Sequence, residues 1–230
     1  MKNFLVVFVG FLFVCFAGIS KAATVSPSIP VYTNDFESGS LGQIQNAQII
    51  GTEGYGTYGF GNYYGWSDAT ESNAITLQLN ELPEHSYLKI EFDLAVINSW
   101  DGSDNRWGPD YFNVKVDGTS IFNETFNNSD KSDQSYQGEA IVWGEQLVSD
   151  SRNFKDSAYH ISLEIPHTSD SATITWFASG SGWQGSWDEY YAIDNVTVTA
   201  NPVPIPAAAW LLGSGLVGLV AMRRRFGLIM

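Results

Sequence analysis

The stretch YLKIEFDL, residues 87–94, alternates strictly between apolar and polar side chains. Leu88, Ile90, Phe92 and Leu94 are apolar, and charged residues stand between them. A period of two residues is that of a β-strand with one face in a core and the other in solvent, whereas an amphipathic helix repeats every 3.6 residues. The stretch therefore predicts a half-buried strand.

The same alternation recurs along the chain on both sides of this stretch. Asp117-Gly118 predicts a hairpin turn that returns the chain through residues 121–122. No stretch of 24–200 carries a convincing amphipathic helix. We therefore predict an all-β fold, a two-sheet antiparallel sandwich of jelly-roll type over residues 31–200. The predicted strands are 31–36, 44–50, 74–79, 87–94, 111–117, 121–122, 159–165, 171–178 and 190–199.

The last of these stretches, YYAIDNVTVT, changes phase in its middle. Ile193 belongs to one alternation, whereas Val196 and Val198 belong to the other. A bulge at Asp194-Asn195 would turn all three apolar side chains inward and aim the Asp194 carboxylate sideways. We therefore expect a bulge at this point in the last strand.

Two short motifs near the ends of the domain, DFE at 35–37 and AIDNV at 192–196, belong together if the terminal strands pair. This combination resembles jelly-roll carbohydrate-binding modules and MAM-type domains. The resemblance implies a structural calcium held by oxygens of the first and last strands, here Asp35, Glu37 and Asp194. The alternative is that Asp35 and Asp194 cap turns.

A second oxygen-rich stretch, residues 99–110, lies between two predicted strands. It contains Asp101, Asp104 and Asp110. It is not an EF-hand, because counting from Asp101 puts Arg106 and Phe112 where Gly and Glu are required. The stretch either folds around calcium or forms a solvated loop of Asx turns.

Aromatic residues crowd two glycine-rich stretches, GYGTYGFGNYYGW at 54–66 and GWQGSWDEYY at 182–191. Flat rings stack on the C–H faces of sugars, and nearby Asp and Asn accept hydrogen bonds from hydroxyl groups. The alternative is that the rings pack against the ends of the sandwich. The candidate ligand-binding rings are Trp66, Trp100, Trp107, Trp183 and Trp187.

The charge of the domain is strongly acidic. Residues 31–200 hold all 25 acidic residues of the chain and 6 basic ones, a net charge of −19. Such a field repels nucleic acid and attracts divalent cations, although an acidic surface can also serve only solubility. The single cysteine, Cys15, precedes the domain, so the domain contains neither a disulfide nor a thiolate metal site.

Catalytic motifs are absent from the sequence. The three histidines stand singly, and no nucleophile elbow, HExxH motif or phosphate loop occurs. Glu91-Phe92-Asp93 begins like the catalytic strand of sandwich glucanases, but Ala95 and Val96 follow where a third carboxylate is needed. We therefore predict a protein that is not an enzyme.

The N-terminus predicts export. Lys2 precedes an apolar run at residues 4–19, and small residues follow at Ser20 and Ala22. This is the pattern of a secretory signal peptide, residues 1–22, removed by signal peptidase after Ala22 or Ala23.

The C-terminal segment, residues 201–230, combines prolines, an apolar stretch and an arginine cluster. Residues 207–222 would span ~24 Å as a helix, which is short for a ~30 Å hydrocarbon core. Arg223, Arg224 and Arg225 would stay cytoplasmic. The predicted fold therefore includes an N-terminal signal helix and a short C-terminal hydrophobic transmembrane helix.

The motif Val203-Pro204-Ile205-Pro206, followed by AAAWLLGSG and the arginines, resembles the VPLPA variant of the PEP-CTERM sorting signal, with Ile at its third position. The resemblance implies a Gram-negative, biofilm-forming exporter and an exosortase that recognises the tail. The precursor would be anchored in the inner membrane and then reach the cell surface or the extracellular space. A plain tail anchor is the alternative.

These features together predict a binding function. We expect an exported cell-surface or extracellular-matrix protein whose sandwich binds glycan, such as exopolysaccharide, and is stabilised by calcium. A purely structural matrix protein without a discrete ligand is one alternative. A degenerate glycoside hydrolase is the other.

Overall fold

The computed structural model describes residues 28–103, 106–149, 152–186 and 188–202. The predicted signal helix, C-terminal helix and sorting motif lie outside the described residues, as do Asp104 and Trp187. None of the helices within the described ranges is long and apolar enough to cross a membrane.

Strands make up most of the described chain, with three short 3-10 helices at Glu53–Tyr58, Glu71–Asn73 and Lys131–Asp133. The strands are Ile29–Asn34 (β1), Ile44–Gln45 (β2), Gln48–Gly51 (β3), Tyr63–Ser67 (β4), Ile75–Leu79 (β5), Tyr87–Asn98 (β6), Tyr111–Val116 (β7), Thr119–Thr125 (β8), Ala140–Glu145 (β9), Asp156–Pro166 (β10), Ala172–Ser179 (β11) and Glu189–Asn201 (β12).

The strands form two antiparallel sheets, which confirms the predicted all-β sandwich. The seven-stranded sheet has the order β3-β4-β12-β6-β10-β9, and β1 also pairs with β12. The five-stranded sheet has the order β2-β5-β11-β7-β8. The first and last strands pair, as the jelly-roll prediction required, because Asn34 lies opposite Val196.

The main core lies between the two sheets. Leu88, Ile90, Phe92 and Leu94 of β6 are buried in it, as their alternation predicts. Trp176 of the five-stranded sheet packs edge-on against Phe92, with ring centroids 5.9 Å apart. Burial of such side chains stabilises a fold by ~1.5–3 kcal/mol each.

A second core covers the outer face of the seven-stranded sheet. Tyr55, Phe60 and Tyr64, from the glycine-rich aromatic stretch, pack there against Ala95 and Ile97 of β6. Both faces of β6 are therefore buried from Ala95 onward, and the apolar alternation stops at that residue.

The predicted bulge in β12 is confirmed. Asp194 lies opposite Asp93, and Thr197 lies opposite Glu91. Between these two pairs β12 advances by three residues whereas β6 advances by two. Asn195 takes a positive φ of 49° at the bulge. Ile193 and Val196 consequently both lie in the main core.

The structure also differs from the predicted strands. The predicted strand 44–50 is two strands in different sheets, because Asn46, with a φ of 61°, turns the chain between them. β4 and β9 were not predicted. β4 lies within the glycine-rich aromatic stretch, where apolar and polar residues do not alternate.

Candidate functional site

Two loops meet at one end of the sandwich, where β6 and β11 finish and β7 and β12 begin. We call this the Asp110 end; its two loops are residues 99–110 and 180–188, of which 104, 105 and 187 lie outside the described residues. The first loop is closed on itself, because the Asp110 amide donates to Gly102 O at 2.9 Å. Asp101 is also paired with Asn127 through an isolated β-bridge.

Two glycines allow the loops to touch. A Cβ atom on Gly182 would lie 2.0 Å from Trp107 O, and one on Gly180 would lie 1.8 Å from Pro109 O. The approach is backbone against backbone, so no side chain could move aside to admit a larger residue. Glycine at these two positions therefore holds the loops in direct contact.

Three carboxylates converge where the loops meet. Asp101 and Asp110 come from the first loop and Glu189 from the start of β12, and each offers one oxygen within 4.8 Å of the others. Asp110 and Glu189 are fully buried, whereas Asp101 is half-buried.

Backbone amides hold one oxygen of each buried carboxylate. The Asp101 amide donates to Asp110 Oδ2 at 2.7 Å, and the Gln184 amide donates to Glu189 Oε2 at 2.7 Å. The remaining oxygens, Asp110 Oδ1 and Glu189 Oε1, are buried without a hydrogen-bond partner. Buried polar atoms in native proteins are rarely left in that state.

The electrostatics of this group are unfavourable for three anions. Burial, with a smaller contribution from the charges of Asp101 and Asp188, raises the pKa of Asp110 to about 7. Burial likewise raises the pKa of Glu189 to about 8, with Asp110, Asp101 and Asp188 adding to the effect. Either protons or a cation must balance this charge.

Most of the oxygen ligands expected at this end of the sandwich come together. Asp101 and Asp110, which were predicted, lie close together. The third member of the group, Glu189, was not predicted from the sequence. Glu189 follows Asp188 directly, and no local pattern distinguishes the two acidic residues before the fold places them. Asp104, the other candidate from the same loop, lies outside the described residues.

Asp35 and Glu37, the candidates from the first strand's end, have capping roles. Glu37 Oε1 accepts from the amides of Asn62 at 2.6 Å and Tyr63 at 3.0 Å, and its Oε2 accepts from Asn62 Nδ2 at 2.8 Å. Asp35 Oδ1 accepts from the Glu37 amide at 3.2 Å. The contact of Asp35 is the one expected if Asp35 caps a turn.

Asp194 is buried at the bulge of β12 and accepts from the Asn195 amide at 2.7 Å. Burial, with smaller contributions from the charges of Asp93, Glu37 and Asp35, raises the pKa of Asp194 to about 8. The three residues of the expected calcium site are therefore close enough to interact electrostatically. Within the described ranges they are not part of the carboxylate group at the Asp110 end.

The candidate tryptophans occupy different environments. Trp107 is 55% exposed on the first loop, with the Arg106 guanidinium 5.2 Å from its ring centroid. Trp66 is half-buried against Tyr190, and Trp183 is half-buried against Trp100. Trp100 is 1% exposed, so its ring is part of the core and cannot stack on an external ligand.

Comparisons with known proteins assign no family. No family model matches the chain, and no curated protein matches it. A family 35 carbohydrate-binding module from Clostridium thermocellum is 12% identical with a TM-score of 0.39, covering 74% of this chain and 99% of that one. A mannan-recognising carbohydrate-binding module is 12% identical with a TM-score of 0.40, covering 76% and 99%.

A 4-O-methyl-alpha-glucuronidase with specificity for decorated arabinogalactans is 14% identical with a TM-score of 0.38, and the match covers 78% of this chain. The chain spans only 19% of that enzyme's length. Similarity of this degree assigns neither a family nor an activity to the chain.

Proposed function

We propose that this protein is an exported cell-surface or extracellular-matrix component whose sandwich binds a polysaccharide at the Asp110 end. The observation that carries the proposal is the exposed ring of Trp107. Among the described residues it is the most exposed large apolar side chain, at 55%. A flat ring presented to solvent is a surface on which a sugar can stack.

Two backbone contacts support the loop at Trp107. Its backbone carbonyl lies against Gly182 of the second loop, and the Asp110 amide closes the loop on the side that leads to β7. A loop backbone held in place before binding loses little conformational entropy when a ligand arrives. Half-buried Asp101, in the same loop, brings a carboxylate that can accept hydroxyl hydrogen bonds.

Export and sorting form the second part of the proposal. The signal peptide at 1–22 would bring the domain across the inner membrane, and signal peptidase would release it. The motif Val203–Pro206 and the arginine cluster would then present the precursor to an exosortase. An exported matrix protein would meet exopolysaccharide at high local concentration, which suits a weak binding surface.

The test is retention of the purified protein on a panel of insoluble polysaccharides. Trp107→Ala should weaken retention about fivefold or more, because a few aromatic anchors carry most of the affinity at such surfaces. Its melting temperature should stay within a degree or two of wild type, since the ring is outside the core.

Tyr87→Ala is the matched control, because Tyr87 is an aromatic residue of 43% exposure at the far end of β6. It should retain polysaccharide as wild type does. If no polysaccharide retains the wild-type protein, the structural-matrix alternative replaces the binding function. Release of reducing sugar from the same panel would instead indicate a hydrolase.

A further inference from the structure

We propose that Asp101, Asp110 and Glu189 bind a divalent cation of the calcium type, which joins the two loops of the Asp110 end. This inference goes beyond the proposed polysaccharide binding, because it concerns the native fold with or without a glycan. Four observations support it: the spacing of the carboxylates, the unpartnered oxygens of Asp110 and Glu189, the surrounding negative charge and the chemistry of the donors.

The spacing fits a single ion. One oxygen from each side chain lies within 4.8 Å of the other two. Calcium binds oxygen at 2.3–2.6 Å, so two ligands on opposite sides of one ion are ~5 Å apart and neighbouring ligands are closer. The three oxygens can therefore all contact one ion without a change in the backbone.

Each of the two buried carboxylates, Asp110 and Glu189, has one oxygen that no hydrogen bond uses. In Asp110 and Glu189 one oxygen accepts from a backbone amide, and this contact fixes the plane of the carboxylate. The second oxygen of each, Oδ1 and Oε1, is fully buried with no partner. A cation bound between them would satisfy both oxygens at once.

The negative charges around the three carboxylates favour binding of a cation. Asp188 lies next to Glu189 in sequence and adds a further negative charge. Arg152 forms an ion pair with Asp188, with 2.6 Å between its guanidinium and Asp188 Oδ1. The same guanidinium lies 4.3 Å from the ring centroid of Phe154. A divalent ion among the three ligands would remove their mutual repulsion, which grows as the site loses solvent.

The donor chemistry selects the class of ion. All three donors are carboxylate oxygens, which suit calcium, magnesium or manganese, whereas zinc and copper favour the nitrogen and sulfur ligands absent from the group. Magnesium demands near-ideal octahedral geometry and keeps several waters. Two of the three donors, Asp110 and Glu189, are buried and fixed by backbone amides, and such a site suits the larger and less demanding calcium ion.

The position of the ligands gives the ion a structural task. Asp101 and Asp110 lie near the two ends of the first loop, and Glu189 directly follows the second loop. An ion that binds all three would close the first loop and tie it to the second. Removal of the ion should therefore loosen this end of the sandwich before the core.

The experiment compares thermal unfolding of the purified protein after chelation, with and without added Ca²⁺. A ligand that binds only the native state raises the melting temperature, and at a hundredfold excess over Kd the rise should be several degrees. Mg²⁺ at equal concentration should give a smaller rise. In a second measurement, Tb³⁺ emission excited through tryptophan should appear on binding and fall when Ca²⁺ displaces it.

Asp110→Asn and Glu189→Gln test the ligands. Each keeps an oxygen that can accept from the same backbone amide, so each should melt no lower than wild type in chelator, yet lose the rise with Ca²⁺ and the Tb³⁺ signal. Asp194→Asn is the matched control, because Asp194 is an equally buried carboxyl in a different acidic cluster. It should keep both responses.

Three results would overturn the proposal. One is a wild-type melting temperature that Ca²⁺ does not change. Another is a calcium response that survives in both Asp110→Asn and Glu189→Gln, because binding would then lie elsewhere. The third is a response lost only in Asp194→Asn, which would move the ion to the junction of the first and last strands.

Discussion

Asp194 lies directly opposite Asp93 in the pairing of β12 with β6. The two carboxylates differ in their hydrogen-bond partners and in their burial. Asp93 accepts from Asn195 Nδ2 at 2.8 Å and is 2.7 Å from His160 Nδ1. Asp194 is buried, and burial together with the charge of Asp93 raises its pKa to about 8. Burial at the bulge and the neighbouring carboxylates therefore favour the protonated form of Asp194 at neutral pH.

The first prediction is a pH-dependent gain in stability for Asp194→Asn, measured in chelating buffer. An unfolded aspartate titrates near pH 4, so between about pH 4 and pH 8 the folded protein holds more protons at this site than the unfolded chain. Stability from the neutral carboxyl is thus full below pH 4 and is lost as pH rises through 8. The amide of Asn cannot ionise and escapes this loss.

The melting temperature of Asp194→Asn should therefore rise relative to wild type between pH 5 and pH 8 and level off above pH 9. A tenfold change in proton affinity is worth ~1.4 kcal/mol, or ~3–6 °C of melting temperature in a domain of this size. Asp170→Asn, at an exposed position, should show no such trend. A constant difference between Asp194→Asn and wild type across the range would contradict the prediction.

The second prediction concerns the core on the outer face of the seven-stranded sheet. The Tyr55 hydroxyl donates to Val96 O at 3.1 Å and lies 3.2 Å from Ser157 O, and its ring is fully buried. Tyr55→Ala should lower the free energy of unfolding by ~3–5 kcal/mol, as for other buried aromatic residues. Urea denaturation followed by tryptophan fluorescence measures the change.

Tyr58 provides the comparison for Tyr55. It belongs to the same 3-10 helix, Glu53–Tyr58, but is 36% exposed. Tyr58→Ala should change the free energy of unfolding by no more than ~0.5 kcal/mol. Equal losses in the two variants would show that the segment, rather than the outer-face core, determines the cost.

Local patterns predicted the parts of the fold that local physics determines. The alternation in residues 87–94 identified β6, and the change of phase after Ile193 identified the bulge, because both depend only on which way successive side chains point. The aromatic stretch from Tyr55 to Trp66 offers no such signal. Tyr55, Phe60 and Tyr64 are buried because the chain returns over the outer face of the sheet, a contact that no local period encodes.

The candidate site shows the same division. Asp101 and Asp110 were identified because they share one loop of oxygen-bearing residues. Glu189 joins them from a distant part of the chain, because β6 and β12 are neighbours in the sheet and Glu189 lies opposite Asn98. Only the order of the strands could have brought it to the group. The prediction that Trp100 is a ligand-binding ring was wrong, because Trp100 packs against Phe126 and Trp183, which are distant in the sequence.

The third prediction concerns processing of the exported chain. If the C-terminal segment is an exosortase signal, the mature protein should begin near Ala23 and end close to Pro204–Pro206. Intact-mass measurement on surface material from the native host determines both ends. Retention of Arg223–Arg225 on that material would contradict sorting and leave a plain tail anchor. Replacing Pro204 and Pro206 with Ala should leave export intact and abolish removal of the tail.

The fourth prediction joins the cation site to polysaccharide binding through Gly182. A Cβ atom at this position would lie 2.0 Å from Trp107 O and 2.4 Å from Gly108 Cα, so Gly182→Ala must push the two loops apart. The displacement should move the first loop, with Asp101, Asp110 and Trp107, away from Glu189. We expect the calcium-induced rise in melting temperature and the polysaccharide retention to fall together, the latter about as much as in Trp107→Ala.

Gly51→Ala is the matched control for this variant. A Cβ atom on Gly51 would meet only Asn62 O at 3.9 Å, an ordinary contact, and the residue lies in β3 rather than in either loop. It should leave both responses unchanged. If Gly182→Ala reduced retention but kept the calcium response, Trp107 would be positioned independently of the ion, and the two sites would have to be treated as separate.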